Sequence, residues 1–77
     1  PAKVSIRYCT LEATFQGRQL ASQLLDQYKN RLEQVTLVPS MGGAFEISVN
    51  DETIYSKLQT GRFPSESAVL SEVGKKL

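Results

Sequence analysis

Residues 4–12 read VSIRYCTLE, an alternating run that ends in a turn. Val4, Ile6 and Tyr8 alternate with Ser5 and Arg7, and Lys3 extends the alternation backwards, the period-two pattern of a strand with one covered face. The strand delivers Cys9, the only cysteine in the chain, into Thr10, Leu11 and Glu12, after which the pattern turns helical. The thiol is therefore expected near a helix N-terminus, a position that favours an anion. Thiolate is the reactive form of cysteine, so such a turn suits an activated thiol. A lone cysteine also serves as a small buried hydrophobe. Position alone leaves both readings open.

Downstream, Leu20, Leu24, Tyr28 and Leu32 recur every four residues, with Ala21 and Leu25 widening the stripe and Arg18, Gln19, Gln23 and Gln27 on the other side. This predicts an amphipathic helix of about four turns whose stripe is core. Thr14 is a candidate cap, Glu12 suits a first turn, and Gly17 weakens the pattern locally. Val35 to Val38 form a second strand closed by Pro39, which cannot continue a central ladder. Strand, helix and strand in this order imply a parallel pair joined by a right-handed crossover.

Ser40, Met41, Gly42 and Gly43 read as a loop with a tight turn. A phosphate cradle is the poorer reading, because the rest of such a fingerprint is missing and no helix follows. Phe45, Ile47 and Val49 alternate with Glu46, Ser48 and Asn50 as a strand. Asn50, Asp51 and Glu52 supply turn chemistry, and residues 53–57 return as the partner of a hairpin. Residues 59–64 read as a second irregular loop. Pro64 or Ser65 opens a last helix, with Val69, Leu70, Val73 and Leu77 on its apolar face and Lys75 and Lys76 at its negative end. The expected fold is a two-layer α/β domain over residues 1–77, strand-helix-strand-strand-strand-helix, with a mixed four-stranded sheet in a thioredoxin-like arrangement.

Composition narrows the function. The chain has 77 residues, 40% of them hydrophobic and 22% charged, with net charge +1, one cysteine and no histidine. That is one small domain, in a size range where only about 60% of the unfolded surface is buried. One cysteine excludes an internal disulfide. Without histidine, and with no carboxylates at calcium-loop or zinc spacing, no metal site is expected. The charge is spread rather than clustered, so no nucleic-acid partner is expected. No run approaches a membrane span and no signal segment opens the chain, so a cytoplasmic location is expected. Glu46, Asp51 and Glu52 flank the hairpin as its wet face, and an acid-base enzyme has no histidine to work with.

The Tyr8-Cys9 turn, Leu37-Val38-Pro39, the run from Gly42 through Ala44 to Ile47, and Gly61-Arg62-Phe63-Pro64 together resemble bacterial members of the selenoprotein W-like, or Rdx, family, in order and spacing. The resemblance covers almost the whole chain. It implies a thioredoxin-like fold and a thiol-redox role linked with glutathione, on a motif Cys-x-x-Cys or Cys-x-x-selenocysteine between the first strand and first helix. Here that motif is Cys9-Thr10-Leu11-Glu12. Cys9 matches the first position, and Glu12 replaces the second.

With Glu12 in place of the resolving residue, an intramolecular dithiol cycle cannot operate. What remains is monothiol chemistry at Cys9, forming a mixed disulfide with glutathione or a protein thiol that an outside thiol resolves. The Glu12 carboxylate disfavours thiolate and the helix end favours it, so no strongly depressed thiol is expected. A glutamate's reference pKa is too low for an efficient general base, and Glu12 reads first as a helix-start residue. Thr10, Leu11, Gly42, Gly43 and Phe63 are the candidate binding residues around the thiol. No bound cofactor is expected, and glutathione enters only as a co-substrate. The competing reading is a noncatalytic interaction module that keeps the fold, with the Cys9 turn and the loops at 40–43 and 59–64 as its binding surface.

Overall fold

The computed structural model describes residues 1–77. Its elements are β1 (Ala2–Cys9), α1 (Thr14–Tyr28), a single 3-10 turn (Lys29–Arg31), β2 (Leu32–Ser40), β3 (Phe45–Val49), β4 (Glu52–Ser56), a short helix α2 (Lys57–Thr60) and α3 (Glu66–Lys75). The four strands form one sheet in the order β2-β1-β3-β4. β1 runs parallel to β2 and antiparallel to β3, and β3 pairs antiparallel with β4. This is the mixed four-stranded, two-layer thioredoxin-like arrangement that the alternation predicts.

The period-two pattern determines which face is covered. Ala2, Val4 and Ile6 of β1 and Phe45, Ile47 and Val49 of β3 are buried on one face, together with Leu20, Ala21, Leu24 and Tyr28 of α1 and Val69 and Val73 of α3. The opposite face carries Lys3, Ser5, Arg7, Glu46 and Ser48 and stays polar, as an antiparallel sheet with one wet side allows. The helix stripe is narrower than its sequence suggests: Leu25 is 51% exposed. Leu32, counted with that stripe, belongs instead to β2, where it is buried.

Three further expectations are corrected. β2 continues through Pro39 to Ser40, with Pro39 opposite Tyr8. It can do so because β2 is an edge strand, where a missing N–H is tolerated. Thr14 does not cap α1: Ala13 holds the cap position without a side-chain bond, and the Thr14 hydroxyl donates to the Thr10 carbonyl at 2.8 Å. Gly17 is not a weak spot but a close approach, since a Cβ there would stand 3.4 Å from Tyr8 and 3.6 Å from Leu37.

The hairpin turn follows its sequence closely. Asn50 and Asp51 have φ of 51° and 70°, the two positive values of a type I′ turn. Residue 57 leaves the strand, however. Ser56 accepts the Gln59 N–H at 3.1 Å and caps α2, which ends at Gly61 in the left-handed conformation. The expected irregular loop at 59–64 therefore begins with a helical turn. Ser65 caps α3 as expected, accepting the Ala68 N–H. Lys76 reaches back to Glu52 at 2.9 Å, so its role is to tie the helix end to β4. No helix is long and apolar enough to cross a membrane.

Candidate functional site

The C-terminal ends of β1 and β2, the start of β3 and the end of β4 meet at one pole of the sheet, and Cys9 lies there. Its backbone is held from both sides. The Cys9 N–H donates to the Ala44 carbonyl at 2.7 Å, and the Thr10 N–H donates to the Ser40 carbonyl at 3.1 Å. The Cys9 carbonyl accepts the Ala13 N–H at 2.8 Å and the Glu12 N–H at 3.2 Å, which closes the 10–12 turn. Cys9 itself is only 3% exposed, while Thr10, Leu11 and Glu12 above it are exposed. The turn is open to solvent. The thiol lies beneath it.

The backbone N–H of Gly43 acts most strongly on this thiol, followed by that of Leu11, and they hold Cys9 below its ordinary pKa; the Glu12 N–H adds to them, against burial and the Glu12 charge. The source of this lowering differs from the one expected from sequence. The helix begins only at Thr14, so the anion-favouring groups are turn and loop amides rather than a helix end. Gly43 tips the balance, and it comes from the distant β2–β3 loop. Gly42 and Gly43 have φ of 72° and 76°, a left-handed pair that turns the chain back along the sheet.

Glu12 does not face the thiol alone. Its Oε1 lies 3.5 Å from Nζ of Lys57, the first residue of α2, which also donates to the Gly43 carbonyl at 3.0 Å. The same ammonium stands 4.9 Å from the centre of the Phe63 ring, which packs edge-on against Phe45 at 5.4 Å. Of the residues singled out from sequence, Cys9, Glu12 and Gly43 thus come together directly, and Phe63 joins them through Lys57. Gly42 shares the loop, but the space around its α-carbon is open. Thr10 and Leu11 form the lip of the turn.

Lys57 is the residue that sequence reading missed. The signal was the Ser-x-x-Gln spacing of Ser56 and Gln59, a helix start that the apparent strand at 53–57 concealed. Glu46, on the polar face of the sheet, does more than meet solvent, since it takes the Ser56 hydroxyl and the Leu58 N–H. Burial pushes its carboxyl up, but the Ser56 hydroxyl and the N–H groups of Leu58, Phe45 and Lys57 outweigh that and hold it below the ordinary range. No three His, Cys, Asp or Glu side chains come together as a metal site requires.

The sequence model of the Rdx family matches residues 3–75. The thioredoxin reductase-like selenoprotein T homolog of Drosophila melanogaster is 34% identical over 70 residues, covering 91% of this chain and 28% of that protein. Migration and invasion enhancer 1 of Bos taurus is 32% identical over 76 residues, covering 92% of this chain and 61% of that protein. The chain therefore spans between about a quarter and three fifths of these relatives. Among solved structures, a Bordetella parapertussis protein superposes with a TM-score of 0.93 at 29% identity, over 100% of this chain and 99% of that one. The selenoprotein W-related protein of Vibrio cholerae superposes with a TM-score of 0.89 at 31% identity, over 96% of this chain and 94% of that one. With its fold and residues 3–75 matched, the chain belongs to the Rdx family.

Proposed function

We propose that the chain is a monothiol redox protein whose working atom is the Cys9 sulfur, acting on glutathione or protein disulfides in the cytoplasm. The observation that carries this reading is the position of Cys9 at the end of β1, enclosed by the 10–12 turn and the β2–β3 loop, where backbone N–H groups of Gly43, Leu11 and Glu12 hold the thiol below its ordinary pKa and so favour the nucleophilic form. The Cys9 thiolate attacks one sulfur of an outside disulfide, forming a mixed disulfide at Cys9 and releasing the other half as a thiolate. A second thiolate, from glutathione or a protein, then attacks the partner sulfur of that mixed disulfide and returns Cys9 as thiolate. Over the two exchanges the resolving thiolate is oxidised to a disulfide, the released half is reduced to a thiolate, and Cys9 is unchanged. With Glu12 at the second motif position, the resolving thiol comes from outside the chain.

One observation favours a second reading, the noncatalytic interaction module. Leu11 is 93% exposed, Met41 81% and Leu58 63%, and they belong to the three segments that surround the buried thiol: the Cys9 turn, the β2–β3 loop and α2. Apolar side chains grouped around one pole suit a protein surface better than free solvent.

Intact-mass spectrometry of the native protein treated with oxidised glutathione separates the two. The redox reading expects one reversible glutathione adduct, absent in Cys9→Ser, and an internal disulfide in Glu12→Cys instead of the adduct. A Cys9 that stays unmodified until denaturant is added would leave the thiol as core packing and the interaction module as the function.

A further inference from the structure

Lys57 makes an unusual set of contacts for a lysine that follows a strand. Its side chain is 16% exposed, whereas its partner Glu12 is 57% exposed. A lysine this enclosed needs partners for its ammonium, and three surround it: the Gly43 carbonyl, the Glu12 carboxylate and the Phe63 ring. Both protein segments that act on the thiol are therefore tied to one cation. A Cβ added to Gly43 would meet Glu12 Oε1 at 3.4 Å and Lys57 Nζ at 3.6 Å, so the three groups are already in packing contact.

We propose that Lys57 is the positioning residue for Cys9: by gripping the Gly43 carbonyl it holds the β2–β3 loop against the thiol, and by pairing with Glu12 it offsets the one carboxylate beside the sulfur. The two actions have the same sign, since one keeps an N–H donor aimed at the thiolate and the other weakens a repulsive charge. The other charged groups nearby are engaged or face elsewhere. Glu46 on β3 is bound by Ser56, Phe45 and Leu58, Arg7 points to the open sheet face, and the first turn of α1 carries no acidic residue. Glu12 is the charge that acts on Cys9 through space, and Lys57 answers it.

This inference rests on Cys9 as the working thiol, and its test reads the thiol itself. Thiolate absorbance is titrated against Cys9→Ser as blank, and iodoacetamide alkylation is timed at neutral pH, for wild type, Lys57→Met, Lys57→Arg, Glu12→Gln and the Glu12→Gln/Lys57→Met double variant. Lys57→Met is expected to titrate at higher pH and to alkylate about three- to tenfold more slowly at neutral pH. Lys57→Arg should recover most of that loss, Glu12→Gln should shift the titration to lower pH, and the double variant should fall between the two singles. If Lys57→Met folds poorly, Lys57→Arg and Glu12→Gln still decide. A Lys57→Met titration matching wild type, a Lys57→Arg shift as large as that of Lys57→Met, or an unmoved Glu12→Gln would overturn the assignment. Failure of Cys9 to form a glutathione adduct would count against the redox reading and leave this titration standing.

Discussion

The Cys9 N–H donates to the Ala44 carbonyl at 2.7 Å, locking the end of β1 to the residue that follows the Gly42-Gly43 turn. The thiol and the Gly43 N–H therefore belong to one rigid corner. Both glycines are left-handed, so a Cβ at either costs about 1–2 kcal/mol. Only at Gly43 would that Cβ, and the backbone shift that relieves its strain, also lie in contact with Glu12 and Lys57. Gly42→Ala and Gly43→Ala are expected to lose similar stability in urea titrations. Only Gly43→Ala should slow Cys9 alkylation at neutral pH, by about threefold or more. Equal alkylation rates in the two variants would show that the thiol does not depend on the Gly43 amide.

A polar contact joins the two long helices. The Tyr28 hydroxyl donates to the Leu70 carbonyl at 2.6 Å, and a Cβ on Gly74 would overlap the Tyr28 oxygen. Gly74→Ala should gain up to about 1 kcal/mol of helix propensity and lose about 1–3 kcal/mol to overpacking against a phenol that its own hydrogen bond holds in place. A net loss is the expected result. In a Tyr28→Phe background the clashing oxygen is gone, so Gly74→Ala should become neutral or stabilising there. Thermal unfolding of wild type and the three variants completes the cycle, and additive effects would mean that Tyr28 does not set the α1–α3 distance.

The apolar rim around Cys9 yields a prediction about partners. Leu11, Met41 and Leu58 can each cover apolar surface on a protein segment, while a small alkylating reagent touches none of them for long. Leu11→Ser and Leu58→Ser should each lower the yield of mixed disulfide with a cysteine peptide flanked by Leu, Val or Phe, by about fivefold at roughly 1 kcal/mol of lost burial. Iodoacetamide rates should stay at the wild-type value. If the peptide yield is unchanged in both variants, the rim is not a partner surface.

The readable parts of this chain were those governed by local periodicity. Val4, Ile6, Ile47 and Val49 announce their strands by alternation, Asn50-Asp51 announces a hairpin turn, and Ser65 announces a helix start, because each signal lies within a few residues. The misread parts depend on tertiary position. Pro39 is tolerated only because β2 lies at the sheet edge, and Leu25 is exposed only because α1 turns that side away from the sheet. The corner around Cys9 shows the limit most clearly. Its position followed from β1, yet the groups that tune it, Gly43 and Lys57, arrive from other loops, and no spacing in the sequence connects them to Cys9.

Glu46 lies opposite Ser56 in the β3–β4 ladder, accepts the Ser56 hydroxyl, and takes the N–H of Leu58 at 3.2 Å, so it stitches α2 to the sheet. Its folded-state pKa is depressed, because these donors outweigh the opposing effect of burial. The resulting stabilisation is fully present above the unfolded carboxyl value of about 4.3 and is lost as pH falls from there through the folded value. Glu46→Gln should therefore cost about 1 kcal/mol at neutral pH, through weaker bonds to the α2 amides. The gap to wild type should close as the pH falls below the unfolded carboxyl value and through the lowered folded one, where the wild-type carboxylate takes up its proton. Urea midpoints at neutral and acidic pH measure this directly. A gap of the same size at both would assign the loss to side-chain shape and remove the charge of Glu46 from the account of how α2, and with it Lys57, is held in place.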